Sequence, residues 1–236
     1  MSESGFQYYG KDLEALSFAP RYHQWILDTI APNLGSEIAE IGAGTGNFTR
    51  LLLTDGSYQV TAFEPSANMF PALDSLRQES STLKSENGFL SDYAESFPNA
   101  FDAVLYINVL EHIEHDVNEL KLAGRVLKPG GRLVVFVPAL PWLYGRLDEL
   151  VGHYRRYTRD SLRGVVESAG FRIHRLHYFD IAGILPWFVV FRLLRMETIP
   201  SSVGLYDRFV VPLMSRMEAM VRPPVGKNLL MVATVA

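Results

Sequence analysis

The stretch EIGAGTGNFT, residues 40–49, places Gly42, Gly44 and Gly46 directly after the acidic Glu40. Glycine at this density weakens any helix or strand that contains it. The segment therefore reads as a tight turn, or as backbone that a ligand approaches closely. Glu64 lies 18 residues past Gly46, at the end of the next apolar run. A carboxylate there can accept from both hydroxyls of a ribose. Asp92 follows a third run, at a position suited to an adenine ring. Each residue has a plainer reading: Glu40 as a turn residue, Glu64 as a charge at a helix N-terminus, Asp92 as a surface cap. No GxxxxGK[ST] phosphate loop occurs, and an acidic turn repels phosphate, so bound pyrophosphate is disfavoured.

These residues need a frame. Tyr22, Trp25, Ile26, Thr29 and Ile30 recur at helical spacing in residues 20–34, and Pro32 closes the run. EIAEIGAG then reads as a buried strand, NFTRLLLTDG as a helix ending at Gly56, YQVTAFEPS as a second strand and SANMFPALDSLRQES as a helix. A third strand is expected over Leu83 to Leu90. FDAVLYINVLEHI begins as a fourth, DVNELKLAGRVLKPGG reads as an amphipathic helix closed by Pro129-Gly130-Gly131, and RLVVFVPA as a fifth strand. This alternation implies a parallel sheet covered on both faces. A capped helix from Thr158 to Ala169 precedes a sixth strand, and NLLMVATVA forms a last one, able to pair antiparallel.

The bounds agree with such a frame. The chain has 236 residues, 48% apolar and 20% charged, with no cysteine. That excludes disulfides and thiolate chemistry and gives no sign of secretion. MSESGFQYYGKDLEAL lacks an apolar signal core, so a cytoplasmic protein is expected. The longest apolar run, Ile181 to Leu194, is interrupted by Pro186 and Arg192 and is too short to span a membrane. The net charge of −4 is unevenly distributed. Residues 1–152 carry 10 Lys/Arg against 20 Asp/Glu, whereas residues 153–227 carry 12 against 6. This is either chance on a solvated surface or a C-terminal third that faces something anionic.

Taken in order, EIGAGTGNFT, AFEPS, LSDYAESFP, FDAVLYINVLEHI and LKPGGRLVVFVP resemble the class I S-adenosylmethionine-dependent methyltransferases over residues 35–138. The resemblance implies an α/β, Rossmann-like doubly wound seven-stranded sheet of order 3-2-1-4-5-7-6 with the last strand antiparallel, and S-adenosyl-L-methionine as cofactor. It implies that Gly42, Gly44 and Gly46 shape the cofactor turn and that Glu40 lies near the methionine amino end. Glu64 would hold the ribose, Asp92 and Tyr93 would frame the adenine, and Asn108 would face the reacting methyl. Asn47, Pro65 and Met69 complete the implied cofactor set. The corresponding organisation is a single domain over 1–236. It comprises a cofactor-binding half (20–138), an acceptor-side segment (139–178), an apolar helical cap inserted between strands 6 and 7 (179–225) and the last strand (226–236).

The acceptor side is less determined. An Asn-Pro-Pro-Tyr type motif is absent, which argues against nucleic-acid and protein-glutamine substrates. LEHI resembles small-molecule methyltransferases of the ubiquinone-biosynthesis type. Metal-binding members of that group use Glu-x-x-Glu-His, but here Asn108 holds the first position, so no metal is expected. GHYRRY, residues 152–157, resembles a subgroup that accompanies glycan or lipid-linked sugar assembly. Methyl transfer from a sulfonium needs alignment, dryness and, for a hydroxyl, a base. His153 is the candidate base, with Tyr154 and His112 as further catalytic candidates. Arg155 and Arg156 are candidates to clamp a phosphate or carboxylate. Tyr22, His23, Trp142 and Tyr144 complete the acceptor candidates. The plainer readings are a loop histidine capping a carbonyl, arginines paired with Asp148 or Glu149, and His112 tightening the fourth loop. The leading expectation is transfer to a hydroxyl or carboxyl oxygen of a small molecule. The alternatives are an amine acceptor, a lipid-linked or glycan acceptor, and a non-catalytic cofactor-binding partner. Residues 179–225 read as a lid, as the face of a homodimer (the chain otherwise being monomeric), or as a peripheral contact with the inner face of a membrane.

Overall fold

The computed structural model describes residues 19–54, 56–196 and 203–236. The N-terminal stretch read above for targeting, and part of the insertion, lie outside them. Strands β1 (Glu37–Ile41), β2 (Gln59–Phe63), β3 (Leu83–Glu86), β4 (Phe101–Ile107), β5 (Leu127–Pro138), β6 (Phe171–Phe179) and β7 (Asn228–Val235) form one sheet of order β3-β2-β1-β4-β5-β7-β6. The pairings from β3 to β5 are parallel. β7 runs antiparallel between β5 and β6, with Val232 opposite Val134 and Met231 opposite Leu176.

The apolar strands are buried on both faces because their alternate residues serve two cores. Val104, Tyr106, Leu133 and Val135 pack against α5 (Asp116–Val126) and α7 (Arg159–Ser168) through Leu120, Ala123, Leu162 and Val166. Ala103, Leu105, Val134 and Phe136 face the other way, onto α1 (Pro20–Ile30) and α2 (Asn47–Leu53), through Ile26, Ile30, Phe48 and Leu52. Helix α3 (Phe70–Ser75) adds Leu73 to that layer, and short α4 (Leu90–Tyr93) adds Leu90 to the first. Fully burying an aliphatic side chain of this size contributes about 1.5–3 kcal/mol.

Among the boundaries that differ from the sequence reading, two lie at the ends of strands. β3 stops at Glu86, and Leu90 instead opens α4, because the Asp92 carboxylate accepts from the Phe89 N–H at 2.8 Å and starts a helical turn there. Helix α5 stops at Val126 rather than at the Pro-Gly-Gly. Leu127 already pairs with Phe101, and a register shift carries the chain past Gly130 to Arg132. Thr158 caps α7 as expected, accepting from the Ser161 N–H at 3.0 Å.

The insertion is helical. It contains α8 (Ile184–Trp187), continued by wider π-type turns over Phe188–Leu193. It also contains α9 (Val203–Leu205), π-type turns over Tyr206–Val210, and α10 (Val211–Met220). Two buried acids tether it. Ala19 gives α1 no side-chain cap, and Asp207 supplies one from a distance, accepting from the backbone of Arg21 and Tyr22 at 3.3 and 2.8 Å. Glu218 accepts from the backbone of Asp180 and Ile181 at 3.1 and 2.9 Å. No helix of the described residues is long and apolar enough to cross a membrane.

Candidate active site

β1 and β4 are neighbours, and the strand order reverses between them. Ligands of open α/β sheets bind beyond the strand ends at such a point. A cavity of about 360 Å³ opens there, lined by Gly42, Gly44, Glu64, Pro65, Met69 and Asn108 among others. Gly42 has φ +67°, and a Cβ on it would come within 2.7 Å of the Val109 side chain, so this wall has room only for glycine. Gly46 (φ +85°) starts α2, and a Cβ there would meet Leu76 at 2.6 Å. The turn is fastened to the end of β2: the Gly42 N–H donates to the Phe63 carbonyl (2.9 Å) and the Gly44 N–H to Glu64 (2.6 Å).

Glu64 is buried. Its two oxygens accept from the Gly44 and Ser66 N–H groups. A carboxylate has about four lone-pair sites, so two remain for a ligand. Burial raises its pKa, and the two backbone donors oppose that rise. Among the described residues, the acids in the cavity wall are Glu64, Glu114 and Glu119, and no lysine or arginine lines it. The surface thus favours a cation over a phosphate.

The other residues of the expected cofactor set do not line this cavity. Glu40 is buried under the turn and accepts from the Thr49 hydroxyl at 2.6 Å. Burial pushes its pKa up to about 8, against the bond from Thr49 and with a contribution from the Glu64 charge. Gly46 and Asn47 belong to the start of α2. Asp92 is exposed and serves as the cap of α4, while the Tyr93 hydroxyl donates to the Asn87 carbonyl and its ring packs on Phe63. Gly88, Phe89 and Leu90, absent from the expected set, line the cavity where Asp92 was anticipated.

A second cavity, of about 100 Å³, adjoins the first, and Asn108 lines both. Asn108 has φ +54°, a left-handed conformation that Asn tolerates better than most residues, and its N–H donates to the Phe136 carbonyl at 2.8 Å. The walls of the smaller cavity include Tyr22, Glu111, His153 and Arg156. Asp148 organises this side. It sits in α6 (Arg146–Leu150) and accepts from the Gly145 N–H (3.0 Å), His153 Nδ1 (2.8 Å), Arg156 Nε (2.8 Å) and Arg156 Nη2 (3.2 Å). Burial alone would raise its carboxyl, but the His153 bond and the Arg156 charge outweigh that and hold it below the usual carboxylate value. With Asp148 ionised and accepting from Nδ1–H, the Nε2 lone pair of His153 is free for a proton. Nε2 lies 3.9 Å from Glu111.

The GHYRRY run is thus a double clasp. His153 and Arg156 grip Asp148. Arg155 donates to Asp116 (2.7 Å) and to the Glu114 carbonyl (2.8 Å), and the Tyr157 hydroxyl donates to the same Asp116 (2.9 Å). Arg155 is therefore outside both cavity walls, and Arg156 lines the smaller one as half of a buried ion pair. Tyr154 is exposed, and Trp142 is exposed against Phe188. Tyr144 donates to the His153 carbonyl at 2.8 Å, steadying the loop from behind. His23 is buried edge-on to Phe48, with its pKa lowered to about 4 by desolvation. His112 lines the larger cavity, 4.5 Å ring to ring from His153. Desolvation, then the neighbouring His153, lowers its pKa to about 3. Glu111, Asp148, Lys227 and Asn228 are among the wall residues that sequence reasoning did not place here.

Glu111, His112 and His153 also bring one donor atom each within 4.8 Å of one another, a spacing that could hold a divalent ion. The sequence expectation of no metal rested on Asn108 alone. It did not foresee a third donor arriving from the loop after α6.

Over 104 residues the chain is 38% identical to a demethylmenaquinone methyltransferase from Tropheryma whipplei (strain Twist), covering 43% of this chain and 41% of that protein. The chain thus spans well under two thirds of that relative's length. It also resembles the putative methyltransferase solved with the Haloferax volcanii Trm112 activator (TM-score 0.66, 17% identity, 95% of this chain and 94% of that one). A third match is Haemonchus contortus phosphoethanolamine N-methyltransferase 2, solved in complex with S-adenosyl-L-methionine (TM-score 0.63, 17% identity, 94% of this chain and 57% of that one). The family model described as a methyltransferase domain matches residues 15–176, and the chain belongs to that family.

Proposed function

We propose that the chain binds S-adenosyl-L-methionine in the larger cavity and transfers its methyl group to a hydroxyl or carboxyl oxygen of a small molecule in the smaller one. The observation that carries this reading is the Asp148–His153 pair in the wall of a cavity that meets the larger one at Asn108. The cofactor fit rests on the walls: a turn in which Gly42 has no room for a Cβ, Glu64 with two lone pairs left for ribose hydroxyls and, among the described residues, acids without cations around a cationic donor. The sulfonium supplies an activated methyl and a neutral leaving group.

The chain's own residues do the rest. Asn108 borders both cavities, beside the opening through which the acceptor oxygen must meet the methyl carbon in line with the breaking carbon–sulfur bond. As the acceptor oxygen forms its new bond to carbon, its proton passes to Nε2 of His153. The resulting imidazolium is held by Asp148 on one side, with Glu111 at 3.9 Å on the other. An ionised carboxyl acceptor would skip the proton step and need alignment alone. Turnover of wild type and of His153→Ala, each with hydroxyl, carboxyl and amine acceptors, tests the reading. Loss confined to hydroxyl acceptors is expected. Equal activity of the variant on every acceptor would remove His153 as the base.

A further inference from the structure

We propose that the outer face of the helix running from α9 to α10 docks on an anionic lipid bilayer. Leu205, Phe209, Leu213 and Met217 recur every four residues along it and are 61%, 64%, 59% and 49% exposed. Met220 and Val221 extend the stripe and are more exposed still. Amphipathic helices of globular proteins turn such a stripe inward. Here the inward face is already occupied by Tyr206, Asp207, Val211, Met214 and Glu218, which tie the helix to α1 and to the Asp180 turn. The stripe therefore points away from the protein by construction.

Charge selects the partner. The described residues 203–222 contain two acids, Asp207 and Glu218, both buried and bonded inward. Their arginines, Arg208, Arg216 and Arg222, are all exposed. Arg208 and Arg216 each stand one position before a stripe residue, so they run along one flank of it. Neither makes an ion pair with a described acid. Arg192, on the preceding helical segment, and Arg195, just past its end, are likewise exposed beside exposed Leu193 and Leu194. A second copy of the chain is a poor match: an isologous dimer sets the same patch against itself, arginines against arginines, with no exposed acid among the described residues of the helix to pair them. A convex ridge of Leu, Phe and Met flanked by cations suits the boundary between acyl chains and anionic headgroups. The inference stands apart from the chemistry of the two cavities, since none of the stripe residues lines either.

The test is flotation of the full chain with phosphatidylcholine vesicles, with and without phosphatidylglycerol. Binding is expected only with phosphatidylglycerol. High salt should release it, because the Debye length contracts from about 10 Å at 0.1 M to about 3 Å at 1 M. Arg208→Glu/Arg216→Glu and, separately, Phe209→Ser/Leu213→Ser should each weaken binding by about tenfold or more. Both should keep the melting temperature and S-adenosylmethionine affinity of wild type. Absent binding to either vesicle, equal binding to both, or binding unchanged in the two variants would overturn the proposal. So would a wild-type dimer in light scattering that Phe209→Ser/Leu213→Ser converts to monomer, which would assign the stripe to a second copy.

Discussion

The two adjoining cavities are built on different plans. The larger one is made by short-range structure: three strand ends, a glycine turn and backbone N–H groups that need only the right local spacing. The smaller one is a charged assembly whose parts come from α1, the loops after β4 and α6, the insertion and the start of β7. In the first, polar groups are held by neighbours a few residues or one strand away. In the second, a buried carboxylate serves a histidine and an arginine together, so each partner's role depends on the others. The contrast suits a fixed donor on one side and a variable acceptor on the other.

The sharpest way to break that contrast is at His153. His153→Ala should lower turnover on a hydroxyl acceptor by about 10²- to 10⁴-fold, while donor affinity measured by calorimetry stays within about twofold of wild type. A matching loss of donor binding would mean that the two cavities are a single site.

Next in size is the ion pair. Arg156→Met leaves Asp148 buried with only His153 and Gly145 as partners, and removing one member of a buried pair costs about 3–5 kcal/mol. Urea unfolding should register that loss. A change of less than about 1 kcal/mol would place Asp148 in effective contact with water.

On the other side, Glu64→Ala should weaken S-adenosylmethionine by about 1–3 kcal/mol, the scale for a charged hydrogen-bonding group. Asp92→Ala should leave that affinity unchanged, since Asp92 caps a helix. If instead Asp92→Ala weakens the donor as much as Glu64→Ala does, the loop rearranges on binding and the cap is traded for the ligand.

A pH effect belongs to Glu40, the acid buried under the glycine turn. The folded-state pKa of Glu40 lies near 8, above its unfolded value. Between about pH 4.5 and 8 the native state therefore keeps a proton that the unfolded state has lost, so this group lowers stability as pH rises through that window. Glu40→Gln keeps an oxygen for the Thr49 hydroxyl and cannot ionise. Its melting temperature relative to wild type should climb from pH 5 to pH 9, and a pH-independent difference would show that Glu40 is hydrated.

The smallest expected change is from chelation. Dialysis against EDTA should alter turnover by less than about twofold if His153 works as a base. Loss of activity that a divalent ion restores would instead make Glu111, His112 and His153 its ligands.

The sequence was most readable where function depends on local spacing. The alternation of strands and helices, the glycine turn and Glu64 follow from runs of apolar residues and what ends them, whereas the strand order, Pro65, Met69 and Asn108 come only with the resemblance to known methyltransferases. Asp92 shows the limit of that reading. Three residues past a β-region Phe89, an aspartate can reach back to a backbone N–H as readily as outward to a ring, and spacing does not separate the two. The adjacent arginines show another limit. Arg155 and Arg156 look equivalent on paper, yet successive side chains in an extended segment diverge, one toward Asp116 and the other toward Asp148. Lys227 and Asn228 carried no motif at all. They enter the smaller cavity because β7 threads between β5 and β6, a consequence of pairing over long sequence distances.

Trp187 gives the molecule an optical handle. Its ring has the Arg156 guanidinium 4.7 Å from its centroid and the Lys227 ammonium at 5.5 Å, and its indole N–H is buried with no acceptor among the described residues. The chain has three tryptophans. Trp25 is buried against Phe179 and Trp142 faces solvent, so both can be replaced by phenylalanine without touching the smaller cavity. What remains is a single fluorophore whose emission is set by two fixed cations and an unfilled donor. An acceptor oxygen arriving beside it would change the local field, so the colour of Trp187 would report occupancy of the smaller cavity before any methyl group moves.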